Sequence, residues 1–391
     1  MVITMKKNIT ILYITTFAIF LCLPHLFFFL LKNHVDTTNY ENRSFYEAPV
    51  IGETSYKDFA RTFESYYNDR IPFRNQLIAM NNNLNYFLFH STTGDQVLIG
   101  KDGWLYIADK TQGNQIANYL GKDTLKEDEI KLAADNLVAN ARFFEEQGIE
   151  FMIFVSPNKS RVYPEYMPDY MGEPAEFYQL KQVIEYLEAN TDLKIIYDYD
   201  EIMKTKETLK DKNIPVYHKV DTHWNYVGAY AGAKVLLEEG FGKKMPEVTE
   251  LTFAEIPNTE ADLGGMLHMK DYFMNTEVNF EVTGYEENGV TLKEDGDSEY
   301  QVIEYNSEAL DDRTLYVYRD SFAKSMGKYL GSQFKRVYMR HHNTYTYDDL
   351  MSVKPDVFVL ETTERGSYYE FLTFNAKKQL GEAAPQIWLE D

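Results

Sequence analysis

The sequence predicts an α/β fold, a parallel sheet covered by helices on both faces to make three layers. Three observations predict it. Short, solid apolar runs recur at Phe151–Val155, Leu193–Tyr197, Leu315–Tyr318, Arg336–Met339 and Val357–Leu360, the pattern of strands buried on both faces. Helical periodicities separate these runs, and strand–helix alternation of this kind builds a parallel sheet. The chain has 391 residues, 44% of them hydrophobic, enough for one large or two modest domains with a real core.

The N-terminus sets the compartment. Residues 1–8 carry Lys6 and Lys7, and residues 9–31 form an uncharged run of about 23 residues, long enough to cross a bilayer. Only Lys32 flanks the far end and the first acid is Asp36, so the positive-inside rule places 1–8 in the cytoplasm and 33–391 outside the cell. Pro24 is tolerated within a membrane helix. A cleaved signal peptide is the other reading of this run. The single cysteine, Cys22, lies inside it, so the exported part forms no disulfide and depends on its core.

Residues 32–55 are polar and aperiodic and read as a linker. Across 56–110, two helical stretches near Tyr56–Tyr67 and Arg74–Phe89 are broken at Pro72, and Val97–Ile107 reads as a hairpin turning at Lys101-Asp102-Gly103. The α/β domain is expected over 111–245 and 310–391. Thr124 with Glu127 has the capping-box spacing, and the helix it opens carries Ile130, Ala134, Leu137, Ala141 and Phe144 on one face before Gly148. A helix at Glu176–Glu188 and another ending at Gly240 follow. Residues 246–309 change to short alternating runs, such as Val278–Val282 and Val290–Leu292, with turn signals at Asn288-Gly289 and Asp295-Gly296; they read as a β-rich insertion.

A net charge of -22 argues against a nucleic-acid partner, because phosphate binding needs clustered Lys and Arg. The 31 Tyr and 25 Phe offer flat area suited to sugar rings as well as to a core, and the stretch Tyr163–Tyr170 is open to both readings.

The segment Asp221-Thr222-His223-Trp224-Asn225 holds an Asp two residues before a His, which can supply a base and the group that orients it. Ser321, just past the strand Leu315–Tyr318 and opening a helical pattern, is a candidate nucleophile where open sheets bind ligands, with helix N–H groups near an oxyanion. Asp320 and Ser321 are equally good helix caps, and Asp221 is a good N-cap. His218, Asp221, His223 and the pair His341-His342 have ligand-type side chains, but no HExxH-type spacing is present, and neither a metal nor a cofactor is expected. Lys159, Arg340 and Arg365 stand at or near strand ends and, with Asn225, are candidates for substrate or oxyanion contact.

Taken together, these segments resemble the SGNH-hydrolase-like domain of bacterial polysaccharide O-acetylation proteins, the alginate O-acetyltransferase and DHHW families. The resemblance rests on Val97–Tyr106 (VLIGKDGWLY), Ser156–Pro164 (SPNKSRVYP), Asp221–Asn225 (DTHWN), Asp262–Leu267 (DLGGML), Arg319–Phe322 (RDSF) and Asp356–Arg365 (DVFVLETTER), with Asn42-Arg43 and Tyr66–Arg74 before them. It implies an SGNH/flavodoxin-like sheet that is circularly permuted, since the Asp-His segment precedes the Ser strand. It also implies Ser321 as nucleophile, His223 as base, Asp221 as its orienting acid, and a membrane-anchored O-acetyltransferase acting on a cell-surface polysaccharide. The acetyl group would come from a multi-spanning membrane O-acyltransferase. A carbohydrate esterase with the same triad and a non-catalytic glycan-binding scaffold are the other readings. Arg319 replaces a Gly common before Asp-Ser in the family, and no Gly-x-Asn-Asp segment is visible in Glu361–Arg365, so the second oxyanion group is unassigned.

Overall fold

The computed structural model describes residues 2–39, 44–52, 54–92, 94–285, 290–294, 300–305 and 311–378; Asn42-Arg43 and the turns Asn288-Gly289 and Asp295-Gly296 lie outside them. The chain forms two compact units, Met1–Gly94 with Gly264–Lys270, and Asp95–Leu263 with Asp271–Asp391.

The first unit opens with α1 (Val2–Leu31), and Ile9–His34 is long and apolar enough to cross a membrane. Ser55 caps α2 (Tyr56–Asn68) by accepting from Asp58 N at 3.2 Å. After Pro72 the chain turns through Phe73, at φ 59, into α3 (Arg74–Phe89).

In the second unit the hairpin β1 (Val97–Ile99) and β2 (Leu105–Ile107) turns through Asp102 and Gly103, both at positive φ. After the short α4 (Gln115–Tyr119) comes α5 (Glu127–Glu146). Its cap is not at Thr124: Glu129 reaches back to the N–H of Lys126 at 2.7 Å, so the capping box closes two residues later than the spacing suggested. Then follow β3 (Glu150–Ser156), α6 (Lys159–Val162), α7 (Gln179–Asn190), β4 (Ile195–Tyr197), α8 (Tyr199–Leu209) and α9 (Tyr226–Val235), which runs on through a π turn to Gly240. Next are β5 (Thr252–Pro257), α10 (Asp262–Met266), α11 (Lys270–Met274), β6 (Val278–Thr283), β7 (Val290–Glu294) and β8 (Tyr300–Tyr305). The chain closes with β9 (Asp311–Arg319), α12 (Gly327–Gly331), β10 (Phe334–His341), α13 (Tyr347–Val353), β11 (Val357–Thr363) and α14 (Glu364–Thr373).

The main sheet runs β4-β3-β11-β9-β10-β8-β7. Its first five strands are parallel, while β8 and β7 add on antiparallel. The β-rich stretch is therefore divided. β5 and β6 form a two-stranded sheet of their own, whereas β8 pairs with the open edge of β10, whose N–H and C=O groups need partners, and β7 pairs in turn with β8.

Side chains alternate between two cores. Leu315, Val317, Val357 and Val359 pack with Trp224, Val227 and Phe322 on one face, and Tyr316, Tyr318, Phe358 and Leu360 pack with Leu137, Phe144, Val183 and Phe371 on the other. Helices α9 and α12 cover the first face, and α5, α7 and α14 the second. This is the three-layer α/β arrangement. The carboxyl ends of β3, β9 and β11 carry Asn158-Lys159, Asp320-Ser321 and Glu364-Arg365.

Candidate active site

Asn225 starts the site by ending a loop. Its Oδ1 accepts from Val227 N at 2.9 Å and Gly228 N at 3.1 Å, and its Nδ2 donates to Pro215 O at 2.7 Å. With every polar atom of its amide in use as the cap of α9, Asn225 fixes His223 two residues upstream. Trp224, buried between them, donates from Nε1 to Phe322 O at 3.0 Å and so ties the histidine loop to the serine turn.

The serine turn is stapled by Asp320. Its Oδ1 accepts from Phe322 N at 2.8 Å, its Oδ2 from Thr363 N at 2.9 Å, and its own N–H donates to Glu361 Oε2 at 3.0 Å. Capping here belongs to Asp320, and the Ser321 side chain makes no cap bond. Instead Ser321 Oγ lies 2.6 Å from His223 Nε2, and His223 Nδ1 lies 2.6 Å from Asp221 Oδ1. With the proton on Nδ1, Nε2 accepts from the serine hydroxyl. Among the described residues no acceptor is bonded to Ser321 N–H, which leaves it open to an oxyanion.

Asp221 is buried and fully engaged. Its Oδ1 also accepts from His223 N at 3.0 Å, and its Oδ2 accepts from Asp262 N at 2.6 Å. Asp262 in turn accepts from Thr222 N at 2.7 Å and from the Thr222 hydroxyl, and its Oδ2 lies 3.7 Å from His223 Nδ1. Burial alone would lower the His223 pKa, but the charge and hydrogen bond of Asp221, with Asp262 behind, outweigh it and push the value up to about 9. Burial opposes ionisation of Asp221 too, yet His223 holds its carboxyl far below the usual range. Burial, then the charge of Asp221, raises Asp262 to about 6. Asp221, His223 and Asp262 bring ligand-type atoms within 4.8 Å of one another, but both oxygens of each carboxylate already accept N–H or O–H bonds.

A cleft of about 190 Å³ opens on this array, with His218, Tyr226, Glu260, Asn279, Lys324 and Ser325 around Ser321 and His223. A family model described as the SGNH hydrolase-like domain of the acetyltransferase AlgX matches residues 97–293, half of the chain. The chain belongs to that family. It is 28% identical over 178 residues to the probable alginate O-acetylase AlgJ of Pseudomonas aeruginosa, a match covering 45% of this chain and 41% of that protein. The chain thus spans less than half the length of that relative. Two solved structures share the fold. Bacillus cereus PatB1 with a sulfonyl adduct has a TM-score of 0.51 and 17% identity, over 73% of this chain and 100% of that one. A DHHW family protein from Eubacterium siraeum has a TM-score of 0.50 and 13% identity, over 74% and 98%.

Within this AlgX-type domain the remaining candidates fall in different places. Lys159 is buried beneath the array, its Nζ donating to the carbonyls of His218 at 3.2 Å, Lys219 at 3.3 Å and Asp221 at 2.6 Å. Burial lowers its pKa to about 8. Its three protons are committed to the loop, so it positions Asp221 and has none left for an oxyanion. Arg340 forms a two-point pair with Asp349, at 3.1 and 2.5 Å, and does not line the cleft. Arg365 lies 5.3 Å over the ring of Phe322, and its charge opposes protonation of His223. His218 pairs with Glu277 at 3.3 Å, and His342 with Glu370 at 3.3 Å. Asp262 had no mark as a site residue in the sequence beyond opening the DLGGML match. Its partners lie 40 and 41 positions away, at a separation no local spacing reports.

Proposed function

We propose that the protein is a membrane-anchored O-acetyltransferase that moves an acetyl group onto a cell-surface polysaccharide through a Ser321 acyl-enzyme. The observation that carries this reading is the relay Ser321 Oγ–His223 Nε2, 2.6 Å, and His223 Nδ1–Asp221 Oδ1, 2.6 Å, in a chain of the AlgX family. Ser321 Oγ attacks the acetyl carbonyl of the donor while its proton passes to His223 Nε2, and Asp221 stabilises the imidazolium. The donor oxygen leaves with that proton and the acetyl group stays on Ser321. A sugar hydroxyl then attacks the ester, its proton passes to His223 and on to the departing Ser321 oxygen, and the acetylated sugar is released. The Ser321 N–H is one donor for the oxyanion.

Helix α1 is the anchor and the domain works outside the cell, where acetyl-CoA is absent. A multi-spanning membrane O-acyltransferase therefore supplies the acetyl group. The relative from Pseudomonas aeruginosa bears the name of an alginate O-acetylase, which makes a polysaccharide hydroxyl the acceptor to test.

The test is acetyl release from a chromogenic acetyl ester by the full chain, with mass analysis of the Ser321 peptide. Ser321→Ala and His223→Ala are each expected to lower kcat by about 10³-fold or more. Undiminished turnover in either variant removes the mechanism. With an acceptor oligosaccharide added, acetyl-sugar is expected at the expense of acetate; acetate alone would make the protein an esterase.

A further inference from the structure

Helix α3 is built inside out. Its inward side carries Asn75 and Asn82, both buried, with Asn75 Nδ2 donating to Thr38 O and Asn82 Nδ2 to Leu267 O, each at 2.8 Å. Its outward side carries Leu77, Met80, Leu84, Phe87 and Leu88, between 40% and 65% exposed, with the exposed Asn81 among them. A helix in water presents the opposite arrangement, and an exposed face this rich in apolar side chains marks a surface that something covers.

Position says what covers it. Tyr67 OH, at the end of α2, lies 2.5 Å from Nε2 of His25 in α1, and the two rings stack with 6.1 Å between centroids. His25 precedes Leu31 by six residues, so α2 meets the apolar helix about 9 Å before its end, at ~1.5 Å per residue. Gln76 Nε2, in the first turn of α3, donates to His34 O at 3.0 Å, just beyond that end. The hairpin is therefore fastened alongside the last turns of α1, at the depth where amphipathic helices rest in a bilayer interface. Tyr56 and Tyr67, both exposed on α2, are amphipathic aromatic residues of the kind that favour that level.

We infer that α2 and α3 lie in the outer interface of the bilayer that α1 crosses, with Leu77, Met80, Leu84 and Leu88 against lipid. This rests on the reading of α1 as a membrane span. The surface gives the first unit a second contact with the membrane beside the single helix.

The full chain with Cys22→Ser and one introduced cysteine at a time, labelled with bimane and placed in nanodiscs of pure lipid containing doxyl-lipid quenchers, tests it. The exposed Asp135→Cys on α5 serves as the water reference and Leu12→Cys as the span reference. Labels at Leu77→Cys, Leu84→Cys and Leu88→Cys are expected to be quenched several-fold more than the label at 135, as is the label at 12. Quenching at 12 with none beyond the water reference at 77, 84 and 88 overturns the inference; it would leave the face to a protein partner, which these discs lack. No quenching at 12 removes the span itself and the inference with it.

Discussion

The imidazole of His223 has two carboxylates within reach, Asp221 Oδ1 at 2.6 Å and Asp262 Oδ2 at 3.7 Å, and they act on it differently. Asp221 takes its Nδ1 proton and fixes the tautomer, whereas Asp262 holds Thr222 and adds negative charge. Opposing them are burial, the largest single effect, and Arg365, whose charge disfavours the imidazolium. The balance leaves the imidazole at about 9, so at neutral pH it is mostly protonated and cannot accept from Ser321. kcat/KM for a neutral ester is therefore expected to rise about tenfold per pH unit and to level off only near pH 9. Asp262→Asn removes a negative charge, destabilises the imidazolium and is expected to shift that limb to lower pH, while His223 stays oriented by Asp221. A limb that does not move would show Asp262 to be structural only. Asp221, His223 and Ser321 could be marked in the sequence because the first two share one short segment and the third follows a solid apolar strand. Asp262 could not, because its role arises only where two distant loops cross.

At the scale of elements, α9 does the aiming, and two glycines let it approach. A Cβ at Gly232 would stand 2.7 Å from the Trp224 indole, and one at Gly228 would stand 2.2 Å from the Val216 carbonyl. Replacing glycine by alanine in a helix interior gains about 1 kcal/mol in propensity. Overpacking against an indole or a backbone carbonyl costs about 1–3 kcal/mol, so the loss is expected to win. Gly232→Ala should lower the denaturant midpoint, and also kcat, because Trp224 is bonded to Phe322 O and moving it pulls the serine turn from the histidine. An unchanged midpoint would mean that the indole relaxes freely. Strands β3, β9 and β11 could be read from composition because helices bury both their faces. The pairing of β8 with β10 could not, since an edge strand is chosen by an open row of backbone groups and not by a side-chain pattern. The box of α5 moved by two residues for a related reason: Glu127 and Glu129 can each reach back to a backbone N–H three residues earlier, and the extended backbone at Lys126 places the helix start after it and selects Glu129.

Across the whole molecule, 61 acidic residues against 39 basic ones leave a net charge of -22, while the cleft itself presents one exposed cation, Lys324, and one exposed anion, Glu260. The surface as a whole repels an anionic oligosaccharide whereas the charges in the cleft nearly balance, and salt separates the two scales. At about 0.01 M salt the screening length is about 30 Å, so an approaching polyanion feels the whole negative surface; at about 0.15 M it is about 8 Å, and only the groups lining the cleft matter. Long-range repulsion is therefore screened first as salt is added. KM for a uronate-bearing oligosaccharide acceptor is expected to fall between those two salt concentrations, while kcat/KM for the neutral chromogenic ester stays constant. A KM that rises over the same range would mean that Lys324 governs encounter even at low salt. A change with the neutral ester would mean that salt acts on the fold or on the Ser321–His223 contact, and not on the approach of the acceptor.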